Sequence, residues 1–159
     1  MVKPLSAFAA ALAALLAAQS AAAADLQTLF SCATATGRVI SLTQDTAQGT
    51  VTYRYGRRGQ RPELQLTRSF ADTAYGVDST GRNSIETVAL TRRPGIDYIV
   101  YGYYGFGGDE YGVAVYSGKR VVEVARCRGK PAVFALDRTK GTKEPDLSRD
   151  PVRDTLNLR

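Results

Sequence analysis

The chain has 159 residues, 21 Lys and Arg against 15 Asp and Glu, two cysteines and no histidine, and a formal net charge of +6. A chain of this length fits one domain of ordinary size. The lack of histidine excludes Ser-His-Asp and Cys-His nucleophilic schemes and removes the commonest transition-metal ligand.

Residues 1–24 read as a cleavable secretory signal. Lys3 supplies a basic start, 5–18 are an apolar run rich in Ala and Leu, and small residues at Ala22 and Ala24 precede a cleavage point between Ala24 and Asp25. The run is shorter than the roughly 20 residues that a bilayer-spanning helix requires, and Gln19 and Ser20 interrupt it. After processing no transmembrane segment is expected, and the protein is expected in the periplasm or secreted. Lys3 is the only charged residue of the signal, so the mature part keeps 20 Lys and Arg against 15 Asp and Glu, an excess of 5 that is spread rather than blocked.

Cys32 and Cys127 are expected to form a disulfide, because the compartment outside the inner membrane is oxidising. A competing reading takes Leu29-Phe30-Ser31-Cys32 as a lipoprotein cleavage box, with Cys32 becoming an acylated N-terminus.

From residue 25 to 136 the chain is rich in Val, Thr, Tyr and Ile, broken every eight to twelve residues by Gly, Pro or Asp clusters. This predicts an all-β domain with strands over 28–34, 39–44, 50–55, 63–70, 84–92, 96–106, 111–116 and 119–127, and a short further strand within 132–136. Ser117-Gly118 and Arg93-Pro94-Gly95 read as tight turns, and 56–62 as a longer basic loop. Links this short favour an antiparallel meander. A bridge between its first and last strands argues for a closed or nearly closed small barrel, with a β-sandwich as the alternative. Alternation places Ile40 with Leu42, Val51 with Tyr53 and Tyr55, Leu64 with Leu66, and Val113 with Val115 on core faces. Residues 137–159 mix charges of both signs with Pro145 and Pro151, and read as a flexible, disordered tail.

No catalytic constellation, metal site or cofactor motif stands out. Asp97, Asp109 and Glu123 are the carboxylates an enzyme acting on glycans would use. The segment 98–116 concentrates tyrosines among glycines. Alternation puts Tyr98, Val100, Tyr104 and Phe106 on one face and Ile99, Tyr101 and Tyr103 on the other, so that Tyr101 and Tyr103 would form an exposed aromatic platform. Arg57, Arg58 and Arg61 share one loop, Arg92 and Arg93 a turn, and Arg126, Arg128 and Lys130 the end of the last strand; together they would make a basic patch for an anionic polymer.

Three stretches carry a resemblance: Leu29-Phe30-Ser31-Cys32 running into Gly37-Arg38-Val39-Ile40; Val51-Thr52-Tyr53-Arg54-Tyr55-Gly56 with Gly59-Gln60-Arg61-Pro62-Glu63-Leu64; and Ser117-Gly118-Lys119 through to Cys127. In these the chain resembles a family of small exported bacterial β-proteins, which pair an early with a late cysteine. At the level of fold it is also similar to the periplasmic lysozyme inhibitors, in which a Ser-Gly-containing loop enters the enzyme's cleft; here only Ser117 and Gly118 correspond. The functional expectation is an exported, non-enzymatic binding protein of the cell envelope, its partner a protein or a glycan and not a nucleic acid. Its sharpest version is inhibition of a cell-wall hydrolase. The alternatives are a carboxylate-dependent glycan-active enzyme and a structural component of a surface assembly.

Overall fold

The computed structural model describes residues 25–141; the expected signal, 1–24, and residues 142–159 of the expected tail lie outside the described residues. Among the described residues ten strands run in chain order: β1 Leu26–Ala33, β2 Arg38–Asp45, β3 Thr50–Arg57, β4 Leu64–Ser69, β5 Thr73–Thr80, β6 Asn83–Arg93, β7 Ile96–Tyr104, β8 Glu110–Ser117, β9 Arg120–Arg126 and β10 Val133–Phe134. They build two antiparallel five-stranded sheets, ordered β10-β1-β2-β3-β4 and β5-β6-β7-β8-β9. The fold is therefore all-β, and it is the sandwich alternative, not a closed barrel.

The reason lies at a corner. After β4 a single 3-10 turn, Phe70–Asp72, takes the chain out of the first sheet. The Asp72 N–H donates to Ser69 Oγ at 3.2 Å and Thr73 Oγ1 donates to the Ser69 carbonyl at 2.9 Å. These bonds fix the exit, so β5 pairs with β6 and starts a new layer.

The layers cross. Leu64, at the start of β4, shares a cavity wall with Glu123 and Ala125 of β9. Arg68, near its end, donates to the carbonyls of Thr91 and Arg92 at the β6–β7 turn. One strand of the first sheet thus runs across the strands of the second, the orthogonal form of sandwich packing. Between the layers lie Leu29, Phe30, Ile40, Leu42, Val51, Tyr53, Leu66, Val88, Val100 and Val113, with Tyr55 and Leu64 at the margin. The predicted core faces of β2, β3, β4 and β8 are the observed ones.

Glycine allows the close approach of β7 to β10: a Cβ on Gly102 would lie 2.3 Å from Phe134 Cε2. Phe134 packs edge-on against Phe30, Tyr104 and Tyr111. Cys32 of β1 is bonded to Cys127, which follows β9, with Cα atoms 5.7 Å apart. The bond fastens one sheet to the other instead of sealing a barrel, and it rules out the reading of Cys32 as an acylated N-terminus.

Two elements depart from the expectation. β5 is a full strand where the sequence places none, and the body continues past residue 136: Thr139 is buried and the Lys140 N–H donates to Gln44 Oε1 at 3.1 Å. Among the described residues no helix is long and apolar enough to cross a membrane.

Candidate functional site

The aromatic platform does not exist as a surface. Tyr101 is 0% and Tyr103 is 2% exposed. They belong to a second cluster with Ile85, Ala114 and Tyr116, flanked by Ile99, Val121 and Val124, all on the second sheet. Small residues make this possible. A Cβ on Gly112 of β8 would approach Tyr101 Oη to 3.2 Å, so the Tyr101 ring lies over the neighbouring strand, and one on Gly105, just past the end of β7, would approach Tyr103 Oη to 2.4 Å. Tyr101 Oη donates to Glu110 Oε1 at 2.6 Å, which also accepts from Arg126 Nε at 2.9 Å. Burial first, then the Glu110 hydrogen bond, pushes the Tyr101 phenol far up. Phe106, assigned by alternation to the core face, is instead exposed beneath the Arg82 guanidinium, 4.9 Å from its centroid.

The three carboxylates Asp97, Asp109 and Glu123 are not brought together. Asp97 pairs with Tyr116 at one end of β8, where it accepts from Thr91 Oγ1 at 2.6 Å. Asp109 precedes Glu110 at the other end, about 20 Å away along the strand. Glu123, paired with Val115, faces the opposite side of the sheet from Asp97. Carboxyl pairs that cleave glycosidic bonds stand about 5–10 Å apart, so these residues do not form such a pair.

Nor do the basic groups make one patch. Arg126 is tied to Glu110, Lys130 stands 4.0 Å from Asp109, and Arg92 reaches Tyr98 Oη at 3.5 Å. The Arg92 turn meets the end of β4 at Arg68, whereas Arg57, Arg58 and Arg61 sit at its beginning, about 15 Å away along the strand.

What remains is the β3–β4 loop. Gly56, still within β3 opposite Val39, has Glu63 N only 2.9 Å from where a Cβ would stand, so the two ends of the loop lie close together. Gly59 has φ 73°, a left-handed conformation that suits glycine. The only acidic residue of the loop, Glu63, is held by Arg38, with Nε contacts of 3.1 and 3.0 Å. That contact raises the Arg38 pKa further. Arg57, Arg58 and Arg61 are exposed, and their guanidinium groups have no hydrogen-bond or ion-pair partner among the described residues.

Beside Arg57 and Arg58 a groove of about 440 Å³ opens, lined also by Arg54, Gln60, Ser31 and Ser41 and by the apolar Val39, Tyr55 and Pro62. Arg54 is preset there: Nε donates to Gln65 Oε1 at 3.0 Å and Nη1 to Thr43 Oγ1 at 3.3 Å. Exposed guanidinium groups beside hydroxyls and an oriented third guanidinium have the donors that a carboxylate or phosphate could accept from. Arg54, Ser31 and Ser41 were missed as site residues. For Arg54 the signal was present, since Tyr53 and Tyr55 point inward and alternation turns it outward.

Comparison of the chain with protein-family models, with curated proteins and with solved structures finds no match.

Proposed function

We propose that the chain works, after export, as a non-enzymatic binding protein of the cell envelope that holds an anionic polymer at the groove under the β3–β4 loop. The observation that carries this reading is a groove lined by Arg54, Arg57 and Arg58, the last two exposed and without an ion-pair partner among the described residues, with Ser31, Ser41 and Gln60 beside Val39, Tyr55 and Pro62. The Cys32–Cys127 bond supports an oxidising compartment, the setting that a cleaved signal at Ala24 would provide.

Anions gain from such a site because each guanidinium offers a planar fork of donors that matches a carboxylate or phosphate. The test is direct. Replacing Arg57 and Arg58 together by Gln should weaken binding of a polyuronate or a sulfated dextran at least tenfold without moving the melting temperature. Unchanged affinity in the double variant would refute the site. Inhibition of a cell-wall hydrolase stays a version of the same reading, supported by the exposed Ser117-Gly118 hairpin tip; a lytic assay with and without the protein checks it.

A further inference from the structure

The pairing register places four threonines in one line. Thr28 lies opposite Thr43, Thr43 opposite Thr52, and Thr52 opposite Thr67, across β1, β2, β3 and β4. Opposite residues of neighbouring strands share a face, so their hydroxyls form a row at the strand spacing of about 4.8 Å. Thr52 and Thr67 Oγ1 are 3.0 Å apart, and Thr43 Oγ1 accepts from Arg54. The adjacent row on the same face is Ser31, Ser41, Arg54 and Gln65, which runs into the groove. Arg54 thus ties a strip of hydroxyls to the site of positive charge.

Building on the anionic-polymer reading, we propose that the ligand is an extended anionic polysaccharide, its acidic groups at Arg54, Arg57 and Arg58 and its sugar hydroxyls on the threonine row. Three features favour this occupant. The charge of the groove has no protein counter-ion among the described residues. The row spacing is close to the rise of a pyranose unit in an extended chain. Each threonine hydroxyl offers one donor and two acceptors, more than its contacts within the protein consume. Tyr53 belongs to the inter-sheet core and Tyr55, partly buried against it, is the one tyrosine lining the groove, so there is no run of rings on which successive nucleobases would stack.

Threonine is favoured on strands in any case, and Thr–Thr pairs stabilise them, so the test must separate ligand contact from strand stability. Valine keeps shape and strand preference while deleting the hydroxyl, which makes a Thr43→Val, Thr52→Val, Thr67→Val triple variant the informative one. Calorimetric titration would use a mannuronic acid hexamer, the monosaccharide, cellohexaose of equal length and a thymidylate hexamer. The wild type should bind the acidic hexamer at least tenfold more tightly than any of the other three. The triple variant should lose about tenfold for that hexamer and keep the wild-type salt dependence. Where the triple variant fails to fold, Thr67→Tyr on the edge strand obstructs the strip instead and should give the same loss.

A triple variant that binds the hexamer as the wild type does would overturn the polysaccharide strip and leave the arginine site standing. Loss of effect in Arg57→Gln, Arg58→Gln would bring down the underlying reading too. Equal affinity for the thymidylate hexamer, or no binding of the acidic hexamer by the wild type, would also contradict the proposal.

Discussion

Tyr101 shows how a single side chain changes meaning with its surroundings. On an outer strand face it would be a contact residue; over Gly112, with its hydroxyl on Glu110, it is part of a second core. Tyr101→Phe should cost about 1.5 kcal/mol through the lost charge-assisted hydrogen bond. Tyr101→Ser should cost about 3–5 kcal/mol, as for other buried aromatic truncations. Chemical denaturation measures both, and a Tyr101→Ser variant as stable as the wild type would contradict the buried assignment.

Glu86 offers a second test. Its Oε2 is buried without a hydrogen-bond partner, and burial first, then Asp137, raises its pKa. The folded state therefore holds this proton more tightly than the unfolded chain does. Stability is complete below the ordinary carboxylate range, falls as pH rises through the raised value and stays lower beyond it. Glu86→Gln should melt with the wild type at acid pH and above it at pH 7; parallel melting profiles would show that Glu86 carries no such penalty.

At the scale of elements, β3 was fully legible, because Val51, Tyr53 and Tyr55 alternate cleanly with Thr52 and Arg54. β5 was not, since Gly76 and Asp78 imitate turn residues inside Thr73–Thr80. The exposure of Tyr101 and Tyr103 could not be read from alternation, which assigns a face but not what lies on it. β7 is a central strand with apolar residues on both faces, and only the small residues of β8 reveal that its second face is covered. The approach of Phe134 to Gly102 belongs to this scale as well: Gly102→Ala should destabilise by about 1–3 kcal/mol through overpacking, with thermal unfolding as the measurement.

For the whole molecule, the cysteines predicted a long-range tie correctly but not the architecture it holds. Joining the first and last long strands is compatible with a barrel or a sandwich, and the choice is made at the Ser69–Thr73 corner, a local feature with no periodic signature. Closing a loop of 95 residues, the bond should contribute about 4–5 kcal/mol in the chain-entropy treatment. Cys32→Ser, Cys127→Ser should lose about that much in denaturant titration. Arg57, Arg58 and Arg61 were named from sequence because they crowd one loop; that Arg38 pairs with Glu63, and that Ser31, Ser41 and Arg54 line the same groove, depends on pairings between strands that sequence distance conceals.

The account rests on charge left unopposed above this groove, and the salt dependence of binding reads that charge most directly. With the mannuronic acid hexamer, affinity should fall linearly on logarithmic axes as salt rises, and the slope should shrink in Arg57→Gln, Arg58→Gln. An affinity indifferent to salt, or a slope unchanged by the two substitutions, would contradict it.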